Sequence, residues 1–229
     1  MTPLVVRQTL AIVGKDLRRE LRTREVATTT IAFAILLIVI FAFGFYRSEE
    51  SLVLVFPGTL WIAVVFTGSL ALGRTFQHES QGDCLKAMAL IPGSEISLYL
   101  GKFIINLIFM LLFEAALLPM MVLSFGVDLS DALLTHLLAL FVGTLGFAAL
   151  GTLVSAMLVR NDLREVLLPI VLYPLLVPIL IAGVVVTATL IEGGTTEDVM
   201  PWIRAMLAMD LAYGILCIGL FRWVLSAIE

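Results

Sequence analysis

Six long stretches of apolar residues alternate with short polar segments along the chain, and each stretch contains at least 20 residues. A hydrocarbon core of about 30 Å needs about 20 helical residues to cross it. The stretches are apolar on all sides and do not alternate with a period of two, so they predict helices and not barrel strands. We therefore predict an all-α integral membrane protein with six transmembrane helices, at residues 27–46, 52–73, 103–125, 133–159, 166–191 and 205–225.

The basic residues between these stretches predict the orientation of the chain in the membrane. Twelve lie before the first stretch, in the loops after the second and fourth stretches, or at the C-terminal end, whereas only Arg47 and Arg204 lie in the other loops. Basic residues are enriched on the cytoplasmic side of membrane proteins. We expect both termini to be cytoplasmic.

The segment before the first stretch has the pattern of an amphipathic helix over residues 4–24. Its apolar positions recur every three or four residues, at Val6, Leu10, Val13, Leu17 and Leu21. The opposite face carries four basic residues: Lys15, Arg18, Arg19 and Arg22. Such a helix lies in the headgroup plane of a membrane. It serves either as a simple anchor in membrane lipid or as a lever that also contacts a cytoplasmic partner. We therefore divide the chain into an interfacial segment at residues 1–26 and a membrane domain at residues 27–229.

The inner loop at residues 74–101 contains a second short apolar segment. Leu85, Met88 and Leu90 follow Gly82 at helical spacing, and Pro92 ends the segment. This helix is too short to span a membrane. Its apolar face must therefore contact either the membrane surface or another protein.

Two of the long stretches have unusual compositions. The fourth has small residues at every fourth position, from Thr144 to Ala156, which favours close packing between helices. The fifth contains three prolines, Pro169, Pro174 and Pro178, each of which removes a hydrogen bond within the helix. We expect the fifth helix to be kinked or broken, and Pro174 and Pro178 are candidates for a transport pathway.

A few polar side chains within the stretches are also candidates for a transport pathway, namely Glu114, Asn106 and His136. Glu114 lies at the centre of the third stretch, where a carboxylate is costly, so it should face the interior of the helical bundle. Asn106 lies two turns earlier and lines the same side, and His136 lies near the outer end of the fourth stretch. Asp210 is closer to the end of its stretch and is expected to extend outward to the headgroups.

The composition excludes several classes of protein. Hydrophobic residues make up 61% of the chain and charged residues 14%, the mean hydropathy is +1.10, and the net charge is −4. This excludes a soluble enzyme, and the negative charge excludes nucleic acid as a partner. The sequence contains no nucleotide-binding loop, no zinc-protease motif and no pair of histidines positioned for a metal. We expect neither catalysis nor a metal site in this chain.

The arrangement resembles the permease subunits of ABC-2 transporters, which have six spans, an N-terminal interfacial helix and a coupling helix after the second span. Their loop signature is present as Glu79, Gly82, Leu85, Leu90, Pro92, Gly101 and Lys102. The motif from Pro57 to Ala63 and the paired prolines after Tyr173 narrow the resemblance to the heme exporter B family of bacterial cytochrome c maturation. One difference is Lys86, where that family often has an acidic residue.

This resemblance implies an inner-membrane permease that exports heme or delivers it to a heme chaperone on the outer side. It implies a separate ATP-binding subunit, which supplies ATP hydrolysis and contacts Glu79, Gly82, Leu85, Met88, Leu90 and Pro92. The other implied partners are a heme-handling membrane subunit, a small single-span subunit and a second copy of this chain. Heme is then a substrate and not a tightly bound cofactor, because His136 has no second histidine at its depth. A permease for a lipid, drug or glycan, and a scaffold that only transmits ATP-driven motion, remain the alternatives.

Overall fold

The computed structural model describes residues 2–45, 49–75, 94–161 and 163–226, and this part of the chain is helical, without strands. In chain order, its helices are α1 (Thr2–Thr23), α2 (Glu25–Phe45), α3 (Glu49–Arg74), α4 (Ser94–Phe125), α5 (Leu133–Met157), α6 (Arg164–Ile191) and α7 (Thr196–Ser226), with a short 3-10 turn at Ser130–Ala132. The predicted all-helical fold class is confirmed.

Helices α3 to α7 are each long and apolar enough to cross a membrane. Helices α1 and α2 meet at a bend of 67°, and the pair supplies a sixth span if it crosses the membrane as one broken segment. The chain is therefore a multi-pass membrane protein with five or six candidate spans among the described residues. The prediction of six spans stays a prediction.

Two helices begin earlier than the hydrophobic pattern predicts. Helix α4 begins at Ser94 and α7 at Thr196, each nine residues before the predicted start. In α4, Lys102 continues the helix because its charge is paired with the Asp16 carboxylate. In α7, the Asp198 carboxylate accepts the Thr195 backbone N–H at 2.8 Å, as in a capping box, so the acidic first turn is helical.

Helix α5 lies at the centre of the bundle and contacts α3, α4, α6 and α7. In its most apolar stretch 78% of the residues are buried, against 22% in α7. The small residues predicted to pack closely do so: the Leu72 side chain of α3 lies over Gly151, and Ser155 Oγ donates to the Leu72 carbonyl at 2.8 Å.

Helix α6 continues without interruption through Pro169, Pro174 and Pro178, so of the two expected outcomes, a kink or a break, the break is wrong and the kink stays a prediction. The Tyr213 hydroxyl of α7 donates a hydrogen bond of 2.8 Å to the Leu175 carbonyl, three residues before Pro178. Pro178 has no N–H to donate to the Pro174 carbonyl, so the tyrosine adds a hydrogen bond one residue away from this gap in the helix. The helix ends at a glycine: Gly193 has a φ of +88°, and Gly194 N–H donates to the Thr189 carbonyl as in a Schellman motif.

Helix α1 has the predicted amphipathic pattern and in addition a third face that packs on α4. Ile12 lies against Gly101, and Thr9 donates to the Ser97 carbonyl. The apolar residues Val6, Leu10 and Leu21 are exposed. The four basic residues predicted on the opposite face, Lys15, Arg18, Arg19 and Arg22, are exposed as well.

Candidate functional site

A buried lysine connects three helices at the end of the bundle where residues 76–93 join α3 to α4. Lys102 is only 2% exposed, and its ammonium group donates to Asp16 Oδ2 at 2.8 Å and to the Thr75 carbonyl at 2.9 Å. The Thr75 carbonyl follows the C-terminal end of α3, where the helix dipole attracts a cation. Because both interactions are favourable for the charged form, the lysine can be buried without leaving an unpaired charge.

The hydrogen bonds continue from this lysine into the centre of the bundle. Thr75 Oγ1 donates to Asn106 Oδ1 at 2.8 Å, and Asn106 Nδ2 donates to Thr152 Oγ1 at 2.9 Å. Thr152 in turn donates to the Ala148 carbonyl at 2.7 Å. We call Asp16, Lys102, Thr75, Asn106 and Thr152 the polar network; it joins α1, α3, α4 and α5.

The polar network holds both sides of the inner loop. Thr75 is the last described residue before the loop, and Lys102 lies in the first helical turns that follow it. A displacement of either side therefore strains hydrogen bonds that reach α5. The predicted ATPase-contact residues Glu79, Gly82, Leu85, Met88, Leu90 and Pro92 lie outside the described residues.

Glu114 lies two turns after Asn106 on α4 and faces the interior of the bundle, as predicted. It is 6% exposed, and one carboxylate oxygen accepts a hydrogen bond from the Thr144 hydroxyl of α5. Asn106 and Glu114 thus each pair with a threonine of the same helix, Thr152 and Thr144, because α4 and α5 are antiparallel. The prediction that the two side chains share one side of α4 is confirmed.

Asp210 of α7 does not extend to the headgroups, and that expectation is wrong. It is 5% exposed and lies over Gly146 of α5, where an added Cβ atom would overlap Asp210 Oδ1. Neither carboxylate oxygen has a hydrogen-bond partner among the described residues. Since Thr144 and Gly146 are two residues apart on one helix, Glu114 and Asp210 approach α5 from opposite sides.

A tryptophan from α3 fills the centre of the bundle. Trp61 is 2% exposed, and its ring occupies the space that side chains at Gly143 of α5 and Gly183 of α6 would take. Its Nε1–H donates to Thr187 Oγ1 at 3.0 Å, and Thr187 donates to the Gly183 carbonyl at 2.9 Å. The three helices are therefore held together around one side chain.

The remaining predicted pathway residues lie apart from Glu114 and Asn106. His136 is buried, and its Nδ1 lies 3.0 Å from the Ala132 carbonyl, while Nε2 is buried without a partner among the described residues. Pro174 and Pro178 are on an exposed face of α6. The structure thus brings together Asn106 and Glu114, but not these two prolines.

Some members of these clusters are not predicted from the sequence. Asp16 and Thr75 are absent from the predicted site residues, although Asp16 is an acidic residue within a basic helix and so offers a usable signal. Trp61 enters the sequence analysis only as part of a motif, because its pairing with Gly143 and Gly183 depends on residues more than 80 positions apart.

A match to a known family covers most of the chain. Residues 7–222 match the family described as CcmB protein. The chain belongs to the CcmB protein family. The matched range begins within α1 and ends near the end of α7, so it includes the polar network and the packing around Trp61.

Two curated relatives carry the name heme exporter protein B. The protein from Pseudomonas aeruginosa is 25% identical over 190 residues, which cover 83% of this chain and 84% of the relative. The protein from Rhodobacter capsulatus is 25% identical over 202 residues, which cover 88% of this chain and 92% of the relative. The likeness therefore extends over nearly the whole length of all three proteins.

Proposed function

We propose that this chain is the membrane permease subunit of an ABC transporter that exports heme for cytochrome c maturation. Membership of the CcmB protein family and the name shared by both relatives support the heme role. The observation that carries the coupling role is the polar network, which ties both sides of the inner loop to α5. ATP hydrolysis belongs in this proposal to a separate cytoplasmic subunit that docks on the loop.

The proposed assembly contains two copies of this chain in the bacterial inner membrane, with six spans each and both termini in the cytoplasm. Its partners are the ATP-binding subunit, a heme-handling membrane subunit, a small single-span subunit and the heme chaperone on the outer side. The exposed basic residues of α1 then face the cytoplasmic headgroups, where basic side chains are favoured.

The docking of the loop is tested with charged substitutions. Leu85→Asp or Leu90→Asp should release the ATP-binding subunit in detergent pull-downs, because a buried apolar anchor contributes about 2 kcal/mol or more. Gln81→Asp, at a polar position of the same loop, is the matched control and should retain the subunit. Equal recovery for all three variants would favour a loop that lies on the lipid surface.

The orientation is tested by labelling single cysteines with an impermeant maleimide. In a background carrying Cys84→Ser and Cys217→Ser, cysteines placed at Glu49, Asp128 and Glu197 should be labelled from outside. A cysteine at Gln81 should be labelled only after the membrane is opened. Labelling of Gln81 from outside would contradict both the orientation and the coupling loop.

A second role, transmission of motion without passage of heme through this chain, is favoured by the packing around Trp61. The indole lies between Gly143 and Gly183 and fills the space where α3, α5 and α6 meet. A chain purified without its partners should then carry no stoichiometric heme absorbance, with or without His136→Ala. A full heme signal that disappears in His136→Ala would make this histidine a ligand and contradict this role.

The heme role itself is tested by deletion and complementation. A strain without this chain should lose its c-type cytochromes, detected by heme staining, and a plasmid copy should restore them. Normal c-type cytochromes in the deletion strain would favour export of a lipid, drug or glycan.

A further inference from the structure

A cavity of about 350 Å³ lies between α1, α2, α3 and α4, away from Trp61 and from the polar network, and Glu114 contributes to its wall. Apolar side chains form most of its wall, among them Ile31, Val64, Phe109 and Phe113. Its volume is in the range of small-molecule sites, which are mostly apolar with a few polar groups. The chain thus has space for an apolar segment of a ligand at this position.

One polar group in the wall lacks a partner. Thr30 of α2 is 4% exposed, and its hydroxyl has no hydrogen-bond partner among the described residues. A buried hydroxyl without a partner is unfavourable, so such groups are normally satisfied by protein, water or a ligand. Thr30 therefore indicates a ligand that offers a hydrogen-bond acceptor inside the cavity.

Charged groups line the cavity where α1 meets α2. Arg24 is exposed at the 67° bend and has a φ of +54°, a conformation uncommon for a residue other than glycine. Its carbonyl accepts hydrogen bonds from both the backbone N–H and the hydroxyl of Thr28, so the bend is held by local interactions. Glu20 lies one turn earlier on α1 and lines the same cavity.

We propose that this cavity binds one diacyl phospholipid of the surrounding bilayer. The phosphate lies against Arg24, an ester carbonyl accepts the hydrogen bond of the Thr30 hydroxyl, and an acyl chain lies along the apolar wall. Along the cavity, the Arg24 cation comes first, the Thr30 hydroxyl second and the apolar side chains last. A phospholipid has its phosphate, ester carbonyls and acyl chains in the same order. The proposal does not depend on the heme role of the chain.

Heme fits the cavity less well than a phospholipid does. Heme iron in proteins is held by histidine, cysteine, methionine or tyrosine. Of these, only Met110 is among the lining residues, and its methyl group packs against Gly68, 2.6 Å from the position of a Cβ atom there. The cavity therefore offers apolar walls, the Arg24 cation and the side chains of Glu20 and Glu114, but no accessible strong ligand for iron.

The test is native mass spectrometry of the full chain, extracted in mild detergent and supplied with palmitoyl-oleoyl phosphatidylglycerol. The unmodified chain should retain one lipid after extensive washing. Arg24→Gln should lower this occupancy about fivefold, the effect of one basic residue near a phosphate. Ala116→Trp should abolish it by filling the cavity, and Thr30→Val should lower it with little change in side-chain volume.

Two control variants separate this site from lipid bound at the general surface. Arg22→Gln removes an exposed cation of α1 that does not line the cavity, and Ile40→Trp places the same indole side chain on an exposed face of α2. Both should retain the lipid. Equal lipid retention in all variants would contradict the proposal, as would displacement of the bound lipid by equimolar hemin. A fold check by thermal unfolding keeps a misfolded variant from being counted as support.

Discussion

The two sides of this molecule differ in how closely their helices pack. Around Trp61, helices α3, α5 and α6 meet at Gly143 and Gly183, where added Cβ atoms would overlap the indole ring. On the other side, α1, α2, α3 and α4 leave a cavity of about 350 Å³, and the outer surface of α2 is exposed at Leu36 and Ile40. Small residues let the helices approach around Trp61, whereas the side chains of the other region leave part of the space between the helices unfilled.

This difference divides the bundle into a part suited to stay fixed and a part suited to move. Bulky side chains held between backbones resist displacement, because close-packed interiors have few alternative arrangements. The α1–α2 side has a bend at Arg24 and a void, so its helices can shift while disturbing less of the packed interior. The polar network connects the two parts through Lys102 and Thr152.

The largest effect is expected when a methyl group is added under the indole ring. Gly183→Ala should destabilise the chain by about 1–3 kcal/mol, because the new Cβ overlaps Trp61. Thermal unfolding in detergent, followed by size-exclusion chromatography, measures the change. Gly214→Ala on α7 is the matched control, because an added Cβ atom there would have no neighbour within 4 Å apart from its own helix backbone. This substitution should be neutral or slightly stabilising. Equal effects of the two substitutions would contradict the packing around Trp61.

Removal of the hydrogen bond between Trp61 and Thr187 should have a smaller effect on stability. Trp61→Phe and Thr187→Val should each lower stability, and the double variant should lose less than the sum of the two. The difference should be about 0.5–1.5 kcal/mol, the net contribution of one buried hydrogen bond. Additive losses in this double-mutant cycle would show that the hydrogen bond from Nε1–H to Oγ1 contributes nothing.

The smallest effect is expected on the loosely packed side. Ala116→Leu adds bulk at the cavity and should change stability by no more than about 0.5 kcal/mol, as is usual where nothing is displaced. The same thermal unfolding assay applies. A loss as large as that of Gly183→Ala would mean that α1, α2 and α4 are packed as closely as the centre, and would remove the contrast between the two sides.

The sequence predicts one kind of feature in this fold well and another poorly. Helix class and most spans follow from apolar length, and the predicted 52–73 span lies within α3, Glu49–Arg74. The burial of Glu114 follows from its depth in the third span, because a mid-membrane carboxylate is costly. Local pattern alone therefore carries these features.

Features that depend on distant residues are predicted poorly. The early starts of α4 and α7 escape the hydrophobic pattern because charged residues such as Lys102 end an apolar run, although their partners keep them helical. The pattern places Asp210 at the surface because nothing near it in sequence shows that Gly146 of α5 makes room for it. Such pairs become visible only when the helices are assembled.

The role of the polar network in transmitting motion is tested most directly by one distance measurement. Spin labels at Arg18→Cys on α1 and Arg160→Cys after α5, in the Cys84→Ser and Cys217→Ser background, report the separation of the two exposed positions in the purified complex. We expect the distance distribution to change when ATP is trapped in the ATP-binding subunit. With Lys102→Gln we expect that change to disappear while the subunit stays bound, and with Arg22→Gln, at an exposed position of α1 outside the polar network, we expect it to persist. An unaltered ATP-linked change in Lys102→Gln would contradict the coupling of the loop to the bundle through this lysine.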